Sequence, residues 1–172
     1  MKAYVALTTD RLILRSPEED DFEEVARYMA SPRAAFTGGV VTDRFEQWRG
    51  FLTSIGHWGL RGYGMFTVVQ KERYGGRIVG RVGLINHLMW DEPELGWHLF
   101  DGFEGQGYAT EAAREARLWA WEAHGFNRLI SYIHPDNEPS QGVARRLGAT
   151  VERSTTLLGK PAQVWRHPEA RG

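Results

Sequence analysis

The chain has 172 residues, 42% hydrophobic and 25% charged, with a net charge of −1 and no cysteine. That length suits one domain with a substantial core, and the near-neutral charge argues against the basic face that nucleic-acid binding needs. Without cysteine there is no disulfide, no thiolate metal site and no cysteine nucleophile. The six His are scattered without ligand spacing, so no metal is expected. No apolar run reaches membrane-spanning length, and the opening MKAYVALTTDR lacks a signal-peptide core, so a cytoplasmic location is expected.

Taken in chain order, residues 7–15 alternate around Leu12, Ile13 and Leu14 and predict a first strand. Ser16-Pro17-Glu18-Glu19 reads as a helix start, with Ser as cap, Pro at the first position and Glu three residues on. Phe22, Val25, Ala26 and Met29 form the stripe of that helix, and Ser31-Pro32 ends it. A second amphipathic helix is predicted over 43–55, with Phe45, Trp48, Phe51, Leu52 and Ile55 on one side and Gly56 closing it. Residues 65–70 and 78–85 form a hairpin around a turn at 73–77. Asp91-Glu92-Pro93 breaks the pattern before a strand over 94–100. A helix over 110–124 ends at Gly125, followed by a strand over 129–133 and a short helix over 140–147 that Gly148 stops. The tail over 151–166 is a closing hairpin turning near Gly159-Lys160-Pro161. The economical reading is a single α+β domain over residues 1–172, built on a mixed sheet.

The segment GFEGQGYATEAA, residues 102–113, joins the strand over 94–100 to the helix over 110–124. A strand, a glycine-rich loop and a helix N-terminus in that order present unpaired backbone N–H groups backed by the positive end of the helix dipole, a phosphate-binding arrangement. A Walker loop is excluded because no Lys lies near Gly107. The dinucleotide fingerprint is excluded because the third glycine is missing and the loop lies past the middle of the chain.

The loop Glu104-Gly105-Gln106-Gly107-Tyr108-Ala109 resembles the coenzyme A pyrophosphate loop of the GNAT N-acetyltransferase superfamily, Q/R-x-x-G-x-G/A. The closest likeness is to the RimJ/RimL-like branch, which acetylates ribosomal-protein N-termini and other amines. Three further blocks carry the resemblance: residues 9–15 as the first strand, 94–99 as the central splayed strand, and Asn137-Glu138-Pro139-Ser140 leading to Arg146-Leu147-Gly148-Ala149 as the second motif. It implies a GNAT acyl-CoA N-acyltransferase fold, a mixed and mostly antiparallel sheet flanked by helices with splayed central strands. It also implies acetyl-CoA as cosubstrate and direct attack by an amine in a ternary complex. The implied acceptor is a small-molecule amine or a peptide N-terminus, and an α-amino group with a pKa near ~7.7–8.0 needs only modest help from a base.

On this resemblance Gly105, Gln106, Gly107, Ala109 and Thr110 hold the diphosphate, and Trp97, Leu99 and Phe100 offer the strand edge to the pantetheine amides. Gly96 marks a bulge or a close backbone approach, or else an ordinary packing glycine. Glu94 is the first candidate base, acting directly or through water, against the alternative of a solvated acid in the cluster at residues 91–94. His98 is the alternative base, with His87 and His134 behind it. The position of the family's usual acidic Tyr is Ala144 here, so Ser140 is the candidate donor to sulfur, and Asn137 would hold the pantetheine arm. Both residues also suit plain helix capping. Glu104 stands where the family has Gln or Arg and is expected to point to solvent. Residues 34–41, with Phe36 and Gly38-Gly39, and the aromatics Trp58, Tyr63 and Trp90 are expected on the acceptor side. A homodimer through a strand edge is compatible with this pattern, and a non-catalytic coenzyme A-binding sensor is the rival reading.

Overall fold

The computed structural model describes residues 4–170; residues 1–3, the start of the segment considered as a leader, and 171–172 lie outside the described residues. Eight strands, β1 (Ala6–Thr8), β2 (Leu12–Arg15), β3 (Met65–Gln70), β4 (Ile78–Ile85), β5 (Glu94–Leu99), β6 (Ile130–Ile133), β7 (Thr150–Leu157) and β8 (Lys160–Arg166), form one sheet in the order β1-β2-β3-β4-β5-β6-β8-β7. Every neighbouring pair is antiparallel except β5 with β6. The helices are α1 (Phe22–Ala30), α2 (Arg44–Arg61), α3 (Tyr108–His124) and α4 (Glu138–Arg146).

Strand alternation sorts the two faces of the sheet. Thr67 and Arg81 point toward α1 and α2, where they meet Asp21 and Ser54. Phe66 points the other way, onto Trp119 of α3. Helix α3 lies close on the sheet because Ala109, Ala112, Ala113, Ala116 and Ala120, spaced at helical intervals, are all buried. Such a stripe of small side chains brings the helix axis near β4 and β5, and so fixes where its N-terminus ends up.

Three local expectations change. The first strand is two, because Thr9 folds back on Leu12 and breaks the run. Ser16 is not a helix cap; its hydroxyl accepts the Val5 N–H and ties β1 to β2. The helix enters through a 3-10 turn at Glu19–Asp21, where the Asp21 carboxylate accepts the Glu18 N–H. Helix α2 passes through Gly56 and runs to Arg61, closed by Gly62 in the left-handed region at φ 79°. A mid-helix glycine costs only about 1 kcal/mol, and the last turns bury Trp58, whose indole N–H donates to the Met65 carbonyl at 3.0 Å. Phe45 and Leu52 are 66% and 46% exposed, so the buried side of α2 is Gln47, Phe51 and Trp58 instead.

The feature that positions the site is the β5–β6 junction. Its parallel ladder holds one register pair, Glu94 with Ile130, before the strands part. Two side chains bridge the start of the opening. The Glu94 carboxylate accepts the Tyr132 N–H at 3.1 Å, and the Ser131 hydroxyl donates to the Leu95 carbonyl at 2.5 Å. Because that proton goes to Leu95, the buried His167 Nε2–H must donate to Ser131 Oγ, at 2.8 Å. The gap widens toward the C-terminal ends of β5 and β6, where the N-termini of α3 and α4 also lie.

Candidate active site

Two cavities meet in this opening. The first, about 910 Å³, runs from the glycine loop along β5 and is bordered by Arg33, Gly105, Gly107, Ala109, Thr110 and Arg146. The second, about 490 Å³, lies on the other side and contains Glu94. Phe36, Thr37, Trp97, His98, Asn137 and Ser140 border both and form the throat between them.

The first cavity has the chemistry of an anion cradle. Gly107 caps α3 at φ 81°, and its carbonyl takes the first helical bond, from the Glu111 N–H. The N–H groups of the first turn, from Tyr108 to Thr110, therefore lack helical partners. Gly105 is also left-handed, with open space where a side chain would stand. Arg33 and Arg146 border the same space. Arg11, which the sequence reading passed over, braces the loop: its guanidinium donates to the Gln106 carbonyl at 2.9 Å and pairs with Glu111 at 2.7 Å. Glu104 does not simply point to solvent. It pairs with Arg33, which also donates to the Leu99 carbonyl, so its charge is neutralised beside the cradle. Gln106 does not border the cavity; its side chain folds back onto the Gly102 carbonyl. Arg33 and Arg11 lie 71 and 95 residues before their loop partners, so no local pattern reveals them.

Along β5 the pairing with β4 fixes which groups face the gap. Phe100 donates its N–H to Val79 on the β4 side and buries its ring, so it offers no edge to a ligand, contrary to expectation. Alternation turns Leu95, Trp97 and Leu99 toward the gap. Ser131 occupies the Leu95 carbonyl and Arg33 that of Leu99, which leaves Trp97 to present its N–H and C=O at the throat. Gly96 is not a bulge: it pairs in register with Gly83. A Cβ there would stand 3.0 Å from Ile85 Cδ1, so its hydrogen keeps the second cavity open between Glu94 and His98.

Glu94 is buried rather than solvated. Burial pushes its carboxyl up to about 7, while N–H donors from the Trp90 indole at 2.6 Å and Tyr132 at 3.1 Å hold it from rising further. Asp91 and Glu92, its companions in sequence, are paired with Arg153 and Arg166 instead. His98 stacks on Tyr28 at 4.3 Å, and burial, with Arg81 and Arg33 near, depresses it to about 3. Such a histidine is neutral at every physiological pH and too weak a base for the task, so the structure argues against it. His87 and His134 both border the second cavity. Asn137 accepts the Ser140 N–H at 3.3 Å as the cap of α4. Capping fixes both residues at the throat, and among the described residues Ser140 Oγ has no hydrogen-bond partner. Ala144 packs in a buried cluster with Ile133, Ala149 and Trp165, so a tyrosine has no room at that position. Phe36 and Trp90 border the second cavity as expected, but Trp58 and Tyr63 are core residues.

The Acetyltransferase (GNAT) domain family matches residues 11–150. The chain belongs to the GNAT acetyltransferase family. An acetyltransferase of Agrobacterium tumefaciens strain C58 is 34% identical, with a TM-score of 0.87 over 96% of this chain and 95% of that one. The N-acetyltransferase YnaD of Bacillus subtilis, itself uncharacterized, is 24% identical over 85% of this chain and 83% of its own. RimL, a ribosomal L7/L12 α-N-protein acetyltransferase solved with coenzyme A, shares the fold at a TM-score of 0.74 and 18% identity, over 95% and 96% of the two chains. This GNAT protein is an acyl-CoA-dependent acetyltransferase acting on amines, and the sensor alternative is not favoured. The residues present fit the carrier: a long cavity ends at orphan N–H groups flanked by two arginines, and a free strand backbone lies beside it. No helix among the described residues is long and apolar enough to cross a membrane.

Proposed function

We propose that this GNAT enzyme transfers the acetyl group of acetyl-CoA to a primary amine, with Glu94 as base and Ser140 as hydrogen-bond donor to the departing sulfur. When bound, the carrier supplies an activated thioester. The chain's own residues supply everything else. The first turn of α3 with Gly105 and Gly107 grips the diphosphate, the Trp97 backbone aligns the pantetheine arm, and the throat sets where acyl group and amine meet. Glu94 takes a proton from the acceptor ammonium, directly or through water, and leaves the neutral amine that attack requires. We read residues 1–172 as one acetyltransferase domain.

The observation that carries this reading is a buried carboxyl held near 7 in the cavity across the throat from the anion cradle. Thiol release from acetyl-CoA, measured with a panel of primary amines, tests it. Glu94→Gln lowers kcat by about 10²-fold or more, the range expected for loss of a general base, and Ser140→Ala lowers it by a smaller factor. Unchanged activity in both variants at pH 7 and pH 8 refutes the assignment.

A further inference from the structure

We infer that the acceptor is a primary amine carried on an uncharged, apolar body of arylalkyl type, gripped by the tip of the β7–β8 hairpin. This rests on the acetyl-transfer reading above and specifies its second substrate.

Charge narrows the class first. Among the described residues, Glu94 is the single carboxylate bordering the second cavity. Lys160 borders it as well, and its Nζ would lie 3.7 Å from a Cβ on Gly39, on the loop across from the hairpin. Burial lowers the pKa of His87, which therefore adds no charge at neutral pH. One ammonium thus finds one carboxylate, whereas a second cationic group finds Lys160 and no anion. The walls narrow the class further: Phe36, Met65, Ile85, Trp90, Tyr132 and Leu158 present aromatic and aliphatic surface.

Leu158 supplies an independent observation. Leu157 pairs with Lys160, so Leu158 and Gly159 alone make the turn, at φ 48° and 77°. A two-residue turn with both φ values positive takes Asn-Gly or Gly-Gly, because a branched side chain is strained there. Leu158 is the one non-glycine among the described residues with positive φ. It is also 68% exposed, so packing within the chain does not offset the strain. Its side chain borders the second cavity, and contact with an apolar substrate is what offsets it.

The experiment follows thiol release from acetyl-CoA with 2-phenylethylamine, tryptamine, spermidine, kanamycin and a serine-initiated peptide, in the wild type and in Leu158→Asn. The arylalkylamines give a kcat/KM at least ten-fold above the others. Leu158→Asn raises the melting temperature by about 2–4 °C, since Asn accepts the left-handed turn. It also raises KM for tryptamine about ten-fold, the scale of a lost apolar contact, without changing the calorimetric affinity for coenzyme A. Leu158→Gly relaxes the same turn and gives the same split. A spermidine, kanamycin or peptide preference overturns this inference and leaves acetyl transfer standing, and so does a stability gain with KM unmoved. Coenzyme A binding with no amine accepted overturns the acetyl-transfer reading, and this one with it.

Discussion

At the scale of single residues, Glu94 and His98 sit two pleats apart on one strand and come out with opposite chemistry. Burial raises the carboxyl of the first to about 7 and lowers the imidazole of the second to about 3. Desolvation disfavours the charged form in both cases, and the signs differ because one group is charged when deprotonated and the other when protonated. A base must be deprotonated to act, so kcat/KM should fall on the acid side with an apparent pKa near 7. In Glu94→Gln that limb disappears, which a pH–rate profile checks. The same shift has a stability cost. A pKa raised by folding contributes stability that is complete below the unfolded value of about 4.3 and is lost as pH climbs through about 7. The buried histidines, depressed as His98 is, push the other way and are common to wild type and variant, so urea denaturation at pH 5 and pH 8 should show the wild type losing stability relative to Glu94→Gln as pH rises. An unchanged stability difference between the two proteins at both pH values would overturn the raised carboxyl. The family resemblance marked Glu94 as the first candidate base, but its burial and raised pKa were not legible in the sequence, where it stood as one of three acids around a proline. Burial and the N–H groups of nearby Trp90 and remote Tyr132, not spacing, separate it from Asp91 and Glu92.

At the scale of elements, the parting of β5 from β6 is held by side chains rather than ladder bonds. Ser131→Ala removes a hydroxyl that serves the Leu95 carbonyl and the His167 imidazole together. Leaving both unpartnered in the interior should cost about 2–4 kcal/mol, readable as a lower denaturation midpoint at unchanged slope. Periodicity located these strands well. Residues 65–70 and 78–85 match β3 and β4 to the residue, since alternating apolar runs with a glycine turn have few competing readings. It did less well where tertiary contacts override local signals: Trp58 carries α2 past Gly56, and Ser16 bonds backward to Val5 instead of forward into a helix. The glycine loop was readable because phosphate binding by main-chain N–H groups needs a particular local sequence. Its arginine braces were not, because they reach it from remote parts of the chain.

For the molecule as a whole, the two functions of the site fall on different parts of the sheet. The proposed diphosphate cradle belongs to the loop after β5, while much of the proposed acceptor wall comes from the closing hairpin and the loop over residues 36–38. This explains why the donor half could be read from sequence and the acceptor half could not. A carrier of fixed chemistry imposes a motif, whereas an acceptor pocket is assembled from segments 120 residues apart, such as Gly38 and Leu158. Among the described residues, one register pair, Glu94 with Ile130, and the Ser131 and Glu94 side chains join the β1–β5 part of the sheet to the β6–β8 part. A pantetheine arm laid along Trp97, as proposed above, would add rungs to that seam, so loading the carrier should slow amide hydrogen exchange throughout β6 and β8, far from the phosphates. The thioester would then serve as mortar as well as reagent, and spent coenzyme A would leave a looser molecule behind it.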